Sequence, residues 1–115
     1  MDTILLTVPA GLRGTAVVAL VLGGLGSRLD LPVDRIDELA LAAAAVAPSV
    51  DGEVLQLEMG ILPDRLVLRL GPVEDGTADD AAARRVIETL VDRSAGIRRD
   101  GREWIELELV RGATG

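Results

Sequence analysis

Cysteine, histidine, phenylalanine and tyrosine are all missing from this chain of 115 residues. Without cysteine no disulfide forms, and the plain expectation is a cytoplasmic protein. Without histidine the commonest metal ligand and general base is gone, and with it every histidine-dependent triad. One aromatic residue remains, Trp104, so stacking on bases or caging a cation has almost nothing to work with. Basic residues are also short: 12 against 19 acidic, for a net charge of −7. Nucleic acids and anionic membranes are repelled by that balance, and a basic protein partner is attracted. Long apolar runs are absent. The longest uncharged stretch, between Arg13 and Arg28, is shorter than the roughly 20 residues a membrane span needs. No positive charge precedes the first apolar run, as a secretory signal requires, and no repeat of fixed period is found.

What is present is aliphatic. Hydrophobic residues make up 49% of the chain, so the core is built from Leu, Val, Ile and Ala. The length suits one domain, expected over 1–111, with "RGATG" leading into a flexible tail at 112–115. "TILLTV" (3–8) reads as a strand that Pro9 ends. Residues 12–29 read as a helix apolar on nearly every side, including Val17, Val18, Leu20 and Leu22, with glycines at 23, 24 and 26. "DLPVDRIDEL" carries helix-start signals, and Ile36, Leu39, Ala40, Ala43 and Val46 form one stripe of a helix running to about Ala47.

Next come two alternating segments. Leu55, Leu57 and Met59 share one face, Leu66, Leu68 and Leu70 another, and the short link between them makes a hairpin. Glu58 and Arg69 are placed to pair across its outer face. "PVEDGTADD" is an acidic loop. "AAARRVIETLVDRSAG" reads as an amphipathic helix with Ala83, Val86, Ile87, Leu90 and Val91 inward and Gly96 as its stop. "IRRDGREWIELELV" is a second hairpin on an Asp100-Gly101 turn, with Ile105, Leu107 and Leu109 inward. The predicted fold is an α+β two-layer sandwich: a five-stranded mixed, mostly antiparallel sheet with three helices on one face.

This order, the entry "LTVPAGLRGTAVVALVLGGLGSRLDLPVDRIDELALA" and the "VIETLVDR" helix before a closing hairpin resemble the GHKL superfamily. That superfamily holds the gyrase and histidine-kinase ATPases. The resemblance is to its small stand-alone branch of anti-sigma factors and serine protein kinases, and it covers nearly the whole chain. It implies an ATP site. The second helix of the family carries a Glu, which serves as base or positions the nucleophile, and four residues on an Asn that helps hold Mg²⁺. Laid on "LALAAAAVAPSV", these positions fall on Ala45 and Ser49. Alanine has no acid–base chemistry, serine is a weak metal ligand, and Pro48 bends the turn between them. The family's adenine-reading Asp falls on Gly71, and Asp75-Gly76 serves only if the loop is shifted. Where the family's phosphate lid is rich in glycine, "TADDAAARR" offers Asp79 and Asp80, which repel a triphosphate.

The resemblance therefore implies a lost site: no catalytic residue, no metal, no cofactor. A filled pocket is expected, with the 71–80 loop lying over Ala45 and Ser49 and leaving a shallow groove. On that expectation Ala45→Glu buries an unpartnered carboxylate at several kcal/mol and revives nothing. The other features have plainer readings. "GGLG" lacks the spacing of a phosphate cradle and is taken as close helix packing. "VEDGTADD" lacks the spacing of a calcium loop and is taken as a solvated loop with a helix cap. Trp104 is taken as a half-buried strand residue, with anchoring of a partner as the alternative.

Two functions follow. The first is a non-catalytic anti-sigma-factor-like regulatory domain that binds proteins, a sigma factor or an antagonist of the anti-sigma factor among them, and pairs as a homodimer. The second is a residual ATP-binding serine kinase of the same family, using Mg-ATP. A third, weaker reading is a structural domain cut from a larger assembly.

Overall fold

Period-two alternation sets the inner face of the sheet. In the computed structural model the described residues are 2–111, and the expected tail at 112–115 lies outside them. Five strands form: β1 (Asp2–Pro9), β2 (Val54–Ile61), β3 (Arg65–Val73), β4 (Arg93–Arg99) and β5 (Arg102–Val110). Leu55, Leu57 and Met59 of β2, Leu66, Leu68 and Leu70 of β3, and Ile105, Leu107 and Leu109 of β5 are all buried. They meet Val18 and Leu22 of α1 (Leu12–Arg28), Ile36, Leu39, Ala42, Ala43 and Val46 of α2 (Val33–Val46), and Ile87 of α3 (Ala81–Leu90) in one core. Each Leu taken from water contributes about 1.5–3 kcal/mol. The three helices therefore cover one face, as the alternation predicts.

The sheet order is β1-β2-β3-β5-β4. Every neighbouring pair is antiparallel, so the parallel component expected of a mixed sheet is not there among the described residues. The connections explain this. Two helices, α1 and α2, return the chain to the end where β1 stopped, and β2 then runs back along it. β4 runs the same way as β3, but β5 is inserted between them. The β4–β5 hairpin turns on Asp100 (φ 54) and Gly101 (φ 77), both left-handed as a two-residue turn of this type requires.

Two expectations on the third helix need correction. The helix ends at Leu90, and Gly96 is no helix stop: it lies inside β4. Asp92 N–H already donates to the Glu108 carbonyl at 3.0 Å, so pairing with β5 takes the chain before the helix can continue. Val86, expected inward, is exposed, while Ile87 and Val91 are buried.

Among the described residues no helix covers the outer face of the sheet. A ladder of charge crosses it instead. Arg69 donates to Glu106 at 2.7 Å and to Glu58 at 2.8 Å, and Arg99 reaches Glu58 at 3.0 Å. The Glu58–Arg69 pair is the one read from the sequence. Arg99 also lies over the Trp104 ring, 4.8 Å from its centroid. With that cover Trp104 is buried, more so than the half-buried position expected for it.

Candidate functional site

Ala45 projects from the last full turn of α2 toward the start of α3. Beside it lies a cavity of about 230 Å³. Its apolar wall is Ala45, Val46, Ala78, Ala83, Ile87 and Ile105, and its polar groups are Thr77, Asp79, Arg84 and Ser94. The short turn Thr77–Asp79 forms one side. That turn is the predicted acidic loop, and it does come to Ala45. It does not close over it: a cavity remains where a shallow groove was expected.

A residue the sequence reading passed over holds the turn in place. Glu103 accepts from Ala78 N–H at 2.8 Å and from Gly76 N–H at 3.0 Å. It is a buried carboxylate with both oxygens engaged, and these N–H groups hold its pKa below the usual carboxylate range, Ala78 most strongly, against the opposite pull of burial. Gly76 adopts φ +93, a conformation that other residues rarely take. Gly96 of β4 closes the far side, where a Cβ would come within 2.5 Å of the Ala78 methyl. The signal for Glu103 was its parity. It stands two before Ile105, on the inward set of β5, whereas Glu106 and Glu108 stand on the outward set.

The sequence candidates do not converge. Of them only Ala45 and Asp79 line the cavity. Ser49 ends a short 3-10 turn after α2, and its carbonyl accepts from Glu74 N–H at 2.8 Å. Gly71 lies on the opposite face of the sheet, where a Cβ would sit 2.6 Å from the Trp104 ring. Asp75 is exposed and pairs with Arg98 at 3.4 Å. Gly76 spends its N–H on Glu103. Asp79 lines the cavity, but Asp80 caps α3 by accepting from Ala82 N–H at 3.3 Å, as the solvated-loop reading requires.

Chemically the cavity is poor. It offers one carboxylate, one guanidinium and two hydroxyls, with no carboxylate from α2. Its volume falls below the roughly 300–1,000 Å³ of typical small-molecule sites. Among the described residues no three metal-binding side chains come together, and no helix is long and apolar enough to cross a membrane. Comparison with models of known protein families finds no match, and comparison with curated proteins finds none either.

Proposed function

We propose that this chain is a non-catalytic regulatory domain, built like the small anti-sigma factors of the GHKL superfamily, that acts by binding other proteins. One observation carries the reading. The helix that would present the base and the Mg²⁺ ligand presents Ala45 to the cavity, and Ser49 gives its carbonyl to the Glu74 backbone. Regulation by contact needs only surfaces, and the acidic surface of this domain suits a partner with a basic face. The partner class is a sigma factor or an antagonist of the anti-sigma factor, in the cytoplasm, with the domain itself a homodimer.

The persistence of the cavity favours the second reading, a residual Mg-ATP-binding serine kinase, because a fully decayed pocket would have filled. Co-expression with sigma factors, followed by purification with and without Mg·ATP, separates the two. The first reading expects a complex of the same yield in both conditions and no phosphorylated partner. A complex that forms only with Mg·ATP, or phosphoserine on the partner, overturns it.

A further inference from the structure

The geometry points to a ligand for the space beside Ala45: a neutral, mostly apolar ring of about nine non-hydrogen atoms, the size of indole, with one hydrogen-bond donor. This goes beyond the regulatory reading and does not rest on it, since the ligand brings neither Mg²⁺ nor a phosphate.

The space is held open from above. Glu103 pins the Thr77–Asp79 turn at two points, through Gly76 N–H and Ala78 N–H. The turn cannot close on Ala45 without giving up hydrogen bonds to a buried carboxylate, which are among the stronger kind. The walls are also small where larger residues would fill the void. Ala42 and Ala43 are buried in the core, where a small residue lets α2 lie close to its neighbours. Ala45 and Ala83 differ: each is only partly buried and lines the space, one from α2 and one from α3. The chain places Leu39, Leu55 and Leu68 at other inward positions, all fully buried. A void lowers stability in proportion to its volume unless something occupies it.

Size and charge define the occupant. An apolar cavity of roughly 150 Å³ takes benzene. The space here is about 230 Å³, which scales to about nine non-hydrogen atoms. Its inner wall is Val46, Ile87 and Ile105, all buried, and a charge set against them is costly. Asp79 and Arg84 are exposed and opposite in sign, so they select neither a cation nor an anion. Arg84 already leans toward Glu88, at 3.6 Å. Two hydroxyls give the polar end. Thr77 Oγ1 donates to the Glu74 carbonyl at 2.6 Å, which leaves its oxygen free to accept. Ser94 stands opposite Leu107, on the inward set of β4, and lines the same space. A ring with one N–H or O–H meets these acceptors and keeps its body on the apolar wall. A rigid ring also loses less freedom on binding than a flexible chain of equal size.

NMR titration of the full chain, labelled with nitrogen-15 and at its methyl carbons, with indole and with phenol tests the site. Saturable shifts should gather on Ala45, Ala78, Ala83, Ile87 and Ile105, with a Kd of about 0.1–1 mM, in keeping with so few ligand atoms. Benzoate and benzylammonium, similar in size but charged, should bind about tenfold more weakly or worse. Ala45→Leu and Ala83→Leu fill the space from α2 and from α3. Each should weaken indole by about tenfold or more, while the Tm of the free protein holds or rises. The parent titration needs neither variant to fold. Absence of saturable shifts from both neutral rings overturns the inference. So does equal binding by the charged analogues, or indole binding that both leucine variants leave intact. Shifts confined to exposed apolar residues such as Leu20 and Val33 overturn it as well, because they mark adsorption to the surface. Mg·ATP in the same titration separates the two readings. Its binding at the cavity refutes the proposed function alone, and failure of both rings refutes this inference alone.

Discussion

Glu103 and Glu106 stand three apart on one strand and face opposite sides of the sheet. Glu106 shares Arg69 with Glu58 in an open ladder, while Glu103 turns inward and caps two backbone N–H groups. The Glu58–Arg69 pair was legible because alternation places both on one outer face. Glu103 was not, because a charged residue suggests solvent unless its parity is followed through the whole strand. Glu103→Gln puts an amide NH₂ against a backbone N–H that needs an acceptor. The expected loss is about 1.5–3 kcal/mol in urea unfolding near neutral pH; an unchanged midpoint would mean that the turn holds without it. The pH dependence follows from the same contacts. Glu58, held low by Arg99 and then Arg69, and Glu103, held low by Ala78 and Gly76 N–H, both have carboxyl pKa values below the ordinary range. Their contribution is therefore complete above roughly pH 4.3, the ordinary glutamate value, and is lost as pH falls through the depressed values. Melts between pH 7 and pH 2 should show stability falling in that acid range, with a smaller fall in Glu103→Gln. On the outer face, Gly71→Ala drives a Cβ into the Trp104 ring. Overpacking of this kind costs about 1–3 kcal/mol, and the emission of the single tryptophan should shift to the red as the ring is displaced. Unshifted emission and stability would show that the ring has room to yield.

Elements with strong periodicity were legible. The two strands of the first hairpin, the two long helices and the Asp100-Gly101 turn stand where their patterns put them. The second half of β4, from Ile97 to the Asp100-Gly101 turn, was read as a hairpin strand, but its first half did not announce itself, because Arg93, Ser94, Ala95 and Gly96 have no alternation to read. It is a strand through its pairing with β5, which overrides the local helical pattern. α2 was read within a residue or so of its ends, yet its surroundings were not. The space beside Ala45 depends on where the Thr77–Asp79 turn comes to rest, and Glu103, more than fifty residues away from Ala45, decides that. The cavity also changes the outlook for Ala45→Glu. A carboxylate there enters a space that Thr77 and Arg84 already line, so the expected cost is about 1–3 kcal/mol, below that of a sealed site. Thermal melts of this variant with and without Mg·ATP should show a modest drop and no recovery with nucleotide. Recovery would mean that one side chain restores the site.

At the scale of the molecule, composition carried the two-layer fold. A chain with one aromatic residue and nearly half its residues hydrophobic buries Leu, Ile and Val on one face of a sheet and keeps most of the sheet's charges on the other, Glu103 being an exception. Strand order was beyond local reading, because insertion of β5 between β3 and β4 is a long-range choice. The account of function stands on the space beside Ala45 and on what lines it. The most direct test is calorimetric titration of the intact chain with Mg·ATP, accompanied by thermal melts at millimolar nucleotide. A ligand at a hundred times its Kd adds about 2.7 kcal/mol to stability, a shift that melting readily detects. No binding heat and an unmoved Tm are the results predicted for a regulatory domain without a nucleotide site. Saturable heat with a raised Tm, abolished by substitutions at Thr77 and Arg84 in the cavity wall, would contradict it.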